Sequence, residues 1–248
     1  MSQIKEIPAL QHLSMQAIKM GERVINAGDL FYVSSSDYYS TAGFALSSGV
    51  LQANSVVQTF LTEIGSAGQG FTAAFTENET NNTSGRRMPV NEAYIAWSCG
   101  YEIYSTSGAS SLAPVPIRRA VDLDKLIRNI RWTYQRGTGP ENTIAHLCEW
   151  PAANGVGLEA GGISTTSTAT TVAINGVPTN GSLLCSKSVF SPYMVLPPLQ
   201  DVYFRLRVGT AIDLTGAWNS EAAQFSGSEV IAIRQRFKGL RVSTQNPG

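Results

Sequence analysis

The stretch "LPPLQDVYFRLRVG", residues 196–209, constrains this chain more than any other. Val202, Phe204, Leu206 and Val208 alternate with Tyr203, Arg205 and Arg207. A period of two places the apolar set on one face of a strand and the polar set on the other. The apolar face needs a second layer to cover it, so the strand belongs to a sandwich or barrel. Pro197 and Pro198 end the preceding strand where no ladder donor is required, which marks a corner between strands.

The same period recurs from about residue 30 onward. Strands are expected near 30–34, 42–47, 54–64, 70–77, 92–105, 128–136, 143–150, 170–175, 183–185, 189–196, 201–209 and 228–243. Turn chemistry separates them, as in "GSAGQG" (65–70), "ENETNNTSGRR" (77–87) and "GTGP" (137–140). Two segments depart from the pattern. In "VDLDKLIRNI" (121–130), Leu123, Leu126, Ile127 and Ile130 have helical spacing and Asp122 is a candidate N-cap. At the amino terminus Leu10, Leu13, Ala17, Met20 and Val24 recur at steps of three and four, which predicts an amphipathic helix over 9–26. The expected organisation is therefore all-β: a helix and extended arm over 1–53, then one sandwich domain over 54–248.

Charge narrows the function classes. Eighteen basic and 18 acidic residues cancel, so no net field draws the chain to nucleic acid or an anionic membrane. Charged residues are 15% of the chain, below the quarter or so typical of soluble domains. A surface so poor in charge is expected to be covered by neighbours. Cys99, Cys148 and Cys185 are widely spaced and form no CxxC pair, so they are read as free thiols of a protein made in a reducing cytoplasm. "MSQIKEIPALQHL" lacks the apolar region of a signal peptide, and no run of 18 apolar residues occurs. The Asn-x-Ser/Thr triplets at Asn78, Asn81 and Asn82 then read as a polar loop.

Catalytic templates fail on inventory. The two histidines are His12 and His146, and there is neither a GxSxG elbow nor a phosphate-binding loop with its lysine. His146 and Cys148, two apart in an expected strand, share a face and are read as packed side chains rather than a base and its thiol. No enzyme, cofactor or metal is expected. Arg86-Arg87 and Arg118-Arg119 lie in loops, where ion pairs to a neighbouring subunit are the expected use. In "RQRFKGLR" (234–241) a strand puts Arg234, Arg236 and Lys238 on one face and Gln235 and Phe237 on the other. That polar face is read as solvated or interfacial, with genome contact as the sharper alternative.

Three segments carry a resemblance. "TFLTEIGSAGQGFTAAFTENETNNTSGRRMPVNEAYIAWSCGYEIY" (59–104) holds two strands, a polar loop, a Gly-x-x-Met-Pro turn and a long strand. "DLDKLIRNIRWTYQRGTGPENTIAHLCEWPAANGVG" (122–157) holds a short helix, two strands and a Trp-Pro-Ala-x-x-Gly-x-Gly loop. With the Pro-Pro corner and its strand, they resemble the jelly-roll capsid proteins of small icosahedral bacteriophages, including tailless phages with an internal membrane. The resemblance spans roughly residues 54 to 244 in the order of elements and the character of loops. It implies a single jelly roll, with a double roll as runner-up. It further implies a capsid subunit, major rather than minor, in a virion assembled in the host cytoplasm. Partners would be copies of itself in trimeric or higher capsomers and other capsid proteins, with membrane or genome contact left open. The residues expected at assembly interfaces are Leu10, Leu13, Met20, Arg86, Arg87, Arg118, Arg119, Tyr203, Arg205 and Arg207. The alternative is a phage spike, tail or carbohydrate-binding sandwich, for which Trp150 and Trp218 border loops and are candidate platforms, while Trp97 and Trp132 read as core.

Overall fold

The computed structural model describes residues 18–20, 23–25, 32–89, 92–149, 156–158, 163–166, 169–172, 176–178, 194–217 and 222–243. The strands of the first half are β1 (Ile18–Met20), β2 (Arg23–Ile25), β3 (Tyr32–Ala45), β4 (Val50–Leu51), β5 (Val56–Thr59), β6 (Glu92–Thr106), β7 (Ile130–Arg136) and β8 (Asn142–His146). Those of the second are β9 (Val156–Leu158), β10 (Ile163–Thr166), β11 (Ala169–Val172), β12 (Gly176–Pro178), β13 (Met194–Leu196), β14 (Val202–Val208), β15 (Ile212–Asp213) and β16 (Val230–Ser243). One helix, α1 (Ala120–Asn129), stands between β6 and β7. The fold is mostly β.

Two four-stranded antiparallel sheets carry it, in the orders β13-β6-β16-β3 and β5-β14-β7-β8. Among these eight strands the pairing is nested. The first, β3, pairs with the last, β16, along all 14 residues. Inside that pair β5 joins β14, β6 joins β13, and β7 joins β8. The sheets meet over one apolar core to which both contribute. Phe237 of β16 lies 5.0 Å, ring centre to ring centre, from Phe204 of β14. Trp132 of β7 lies 5.9 Å from each of them, and Phe60 stacks on Phe237 at 5.1 Å. In β14 the burial alternates strictly, with Val202, Phe204, Leu206 and Val208 inward, as the two-residue period predicts.

The free edge of β3 is not left open. Asn81 accepts from the Tyr39 N–H at 2.9 Å and donates its side-chain amide to Asp37 O at 2.7 Å. The Gly43 N–H donates to Gln69 O at 2.9 Å. This approach requires two glycines: a Cβ on Gly70, whose φ is +84°, would sit 2.0 Å from Gly43 O, and one on Gly43 would strike Phe71 at 2.6 Å. The segment 61–85 thus covers an edge that would otherwise template pairing with any exposed strand.

Several sequence expectations change. The helix over 9–26 is replaced, where that segment is described, by a hairpin in which β1 pairs with β2, Ile18 opposite Ile25. The β-branched Ile18, Val24 and Ile25 favour strand over helix there. Residues 1–17 lie outside the described residues. The strands expected at 30–34 and 42–47 are one strand, β3, so residues 32–51 belong to the sandwich and not to an arm ending at 53. Residues 70–77 form no strand, only an isolated bridge from Ala67 to Ala74. Their aromatic residues serve packing instead: Phe71 and Phe75 cover Tyr104, Val230 and Ala232 on the outer side of the sheet. The expected strands at 54–64 and 143–150 shorten to β5 and β8, and a 3-10 turn, Leu147–Glu149, follows β8. The strand at 170–175 becomes β11, paired with β10. Residues 183–185 lie outside the described residues. Asp122 is not the cap of α1 either: Arg119 holds that position, and Asp122 sits in the first turn.

A candidate assembly face

The outward residues of β14 and its neighbours form one polar surface. In the register, Arg207 stands opposite Arg131, Arg205 opposite Thr133, and Tyr203 opposite Gln135, while Arg131 also faces His146 of β8. Two guanidinium side chains, Arg207 and Arg131, therefore face each other across one rung, with His146 on the far side of Arg131. Like charges directly across a ladder repel, and the sheet answers this with Glu141, just before β8. Arg207 donates to both Glu141 oxygens at 2.7 Å, Arg205 Nη1 lies 3.2 Å from Glu141 Oε2, and the Thr133 hydroxyl also donates to Glu141. The Arg207 hydrogen bonds, with help from Thr133 and Arg205, hold the Glu141 carboxyl down at a pKa of about 2.

The two arginines of the 86–87 doublet join the same surface. Arg86 lies 5.8 Å above the Tyr203 ring and Arg205 lies 4.9 Å above it. Arg87 pairs with Asp201 at 3.5 Å. Backbone bonds tie this doublet to the corner: Val202 N–H donates to Arg86 O at 2.9 Å, and Leu199 N–H to Met88 O at 3.1 Å. Arg86 and Leu199 both have left-handed backbones, with φ of 63° and 57°. Each such non-glycine residue stores about 1–3 kcal/mol, which surrounding contacts must offset. Five of the ten expected interface residues, Arg86, Arg87, Tyr203, Arg205 and Arg207, are thus brought together on one face.

The other five are not. Leu10 lies outside the described residues, as does Leu13. Met20 closes β1, and nothing further is described of its side chain. Arg118 is exposed elsewhere, its N–H donating to Gln224 Oε1 at 2.7 Å. Arg119 is a correction: it is 5% exposed and buried against Asp122, with Nε to Oδ2 at 2.9 Å, so it braces the fold and is not free to meet a neighbour. Glu141 and Arg131 are not among the residues expected at an interface, because a turn carboxylate and a strand arginine reach Arg207 only through the register of β7 against β8 and β14.

The basic stretch on β16 has the faces expected of it. Arg234 and Arg236 are half-buried and outward, Lys238 is exposed, and Gln235 and Phe237 are buried. Its charge is largely answered within the chain. Arg234 meets Glu102 at 2.8 Å, Arg236 meets Glu102 and Asp37 at 3.5 Å each, and Arg241 meets Glu92 at 3.3 Å. A phosphate backbone would have to displace these carboxylates. His146 ends β8 exposed, whereas Cys148 is half-buried in the 3-10 turn, so the two do not share a strand face. Trp132 is fully buried and Trp97 half-buried, while Trp150 and Trp218 lie outside the described residues. Among the described residues no three His, Cys, Asp or Glu side chains cluster to hold a metal, and no helix is long and apolar enough to cross a membrane.

Glu141→Gln is expected to cost about 1 kcal/mol at neutral pH, once the exposure of the site is allowed for. Because the folded carboxyl titrates lower than the unfolded one, its contribution is complete above the unfolded value of about 4.5 and fades as pH falls toward about 2. Urea unfolding of both proteins at pH 7 and at pH 3 tests this: the gap between them should narrow on acidification.

Compared with known proteins, the chain matches no family model, no curated protein and no solved structure.

Proposed function

We propose that this chain is a jelly-roll capsid subunit, most of whose contacts are with copies of itself. The observation that carries the reading is the nested pairing of its eight sheet strands: β3 with β16, β5 with β14, β6 with β13, and β7 with β8. A ribbon paired in that order, first strand to last, and then wrapped so that β16 also meets β6 and β14 also meets β7, supports a single jelly roll. The double roll loses support because two of the short strands it would enlist are one strand, β3.

A fold hosts many functions, so the surface must carry the rest of the argument. The charged fraction is low, the net charge is zero, and arginine with tyrosine is gathered on one sheet face. Arginine and tyrosine are the residues that protein interfaces favour, and sparse charge suits a surface that neighbours cover. A sheet edge sealed by the 61–85 segment also suits assembly through faces and loops over assembly by strand addition.

Sedimentation and negative-stain microscopy of the purified protein test the reading. Shell-like particles or regular arrays are expected. A monomer that remains monomeric at high concentration and binds a glycan array would overturn it in favour of a carbohydrate-binding module.

A further inference from the structure

Among the described residues only two large apolar side chains are well exposed, Leu199 at 49% and Ile64 at 39%. Their surroundings have opposite charge. Leu199 projects from the corner that Arg86 and Arg87 bond to, on a left-handed backbone with φ of 57°. Ile64 follows Glu63, an exposed carboxylate that makes no ion pair among the described residues. Glu63 is also one wall of a surface cleft of about 490 Å³, completed by Leu61, Thr62, the stretch 66–69 and Gly85. The corner is thus an apolar knob flanked by arginine, and the cleft, which Gly85 joins to Arg86 along the chain, has a carboxylate at its wall.

We infer that Leu199 of one copy seats in the Glu63 cleft of the next, with Arg86 and Arg87 reaching the Glu63 carboxylate. This rests on the assembly reading above. A second copy is the occupant that charge favours, because a chain of zero net charge with an arginine-rich corner carries the answering carboxylates on its own surface. A polyanion such as nucleic acid would engage the arginines but give the exposed leucine and the cleft no part.

The test uses two proteins, Leu199→Cys and Ser66→Cys, each made with Cys148→Ser and Cys185→Ser so that only the buried Cys99 remains beside the new thiol. Neither variant alone brings the two positions together as thiols. Mixed, allowed to assemble and mildly oxidised, they should give about tenfold more disulfide-linked dimer than either alone, because seating raises the local thiol concentration. Arg87→Glu in the first protein should abolish that dimer, and Glu63→Arg in the second should restore it. A mixture that yields no more dimer than its components, in preparations that still form particles, overturns the knob-and-cleft contact and leaves the capsid reading standing. Failure of the wild-type chain to assemble at all overturns both.

Discussion

Phe237→Ala is expected to destabilise the protein by about 3–5 kcal/mol, a large part of the 5–15 kcal/mol that a folded domain commonly has. Phe237 has no exposed surface and sits where the two sheets meet. Its ring is bounded by Phe60 at 5.1 Å, Phe204 at 5.0 Å and Trp132 at 5.9 Å. Those three come from the residue directly after β5, from β14 and from β7, so no single element can shift to fill the space the ring leaves. The cavity therefore persists and adds to the lost transfer energy. Lys238→Ala, one residue on and exposed, should change stability by no more than about 0.5 kcal/mol. Equilibrium urea unfolding of the two variants measures the contrast. Equal losses at 237 and 238 would mean that β16 does not present its odd residues inward.

That inward and outward division is readable in β14, where apolar and polar residues alternate without interruption, and in residues 234–238 of β16, where Arg234, Arg236 and Lys238 alternate with Gln235 and Phe237. β6 and α1 were readable for related reasons: a long run of β-branched and aromatic residues in one, helical spacing of Leu123, Leu126 and Ile127 in the other. β3 was misread as two pieces because Ser34, Ser35, Ser36 and Asp37 look like a loop. What makes strand of them is remote: Asn81 bonds Asp37 O and the Tyr39 N–H, and the Tyr94 hydroxyl donates to Ser36 O at 2.6 Å. The opposite error befell 70–77, whose Phe71 and Phe75 have the look of a strand but lie over Val230 and Ala232. Local composition cannot separate an aromatic strand from an aromatic cover. For the candidate face, Tyr203, Arg205 and Arg207 follow from the two-residue period alone. Glu141 does not, since its place against Arg207 depends on how three strands register. Arg205 and Arg207, expected at assembly interfaces, also act within the chain. Both hold Glu141, so replacing them strips a carboxylate of its partners as well as altering the face.

The second large effect is expected at Arg119, for a reason that composition hides. Doublets of arginine in loops usually reach outward, as Arg118 does. Arg119 turns inward, pairs with Asp122 through Nε at 2.9 Å and Nη2 at 2.9 Å, and donates to Gly216 O. Asp122 has no exposed surface, and its burial raises its pKa against the lowering effect of Arg119. Removing the guanidinium leaves that carboxylate buried without its cation, a change that commonly costs about 3–5 kcal/mol. Arg119→Ala should therefore destabilise strongly at neutral pH. Because the folded Asp122 pKa is raised, the penalty is greatest above it and shrinks as pH falls toward the unfolded carboxylate value of about 3.9, where both states hold the proton. Adding Asp122→Asn should recover much of the loss at pH 7, since the amide places no charge in the site. If Arg119→Ala is as stable as the parent and Asp122→Asn changes nothing, the pair does not brace α1 against the 214–217 segment. Arg119 would then return to the outward role that its doublet suggested.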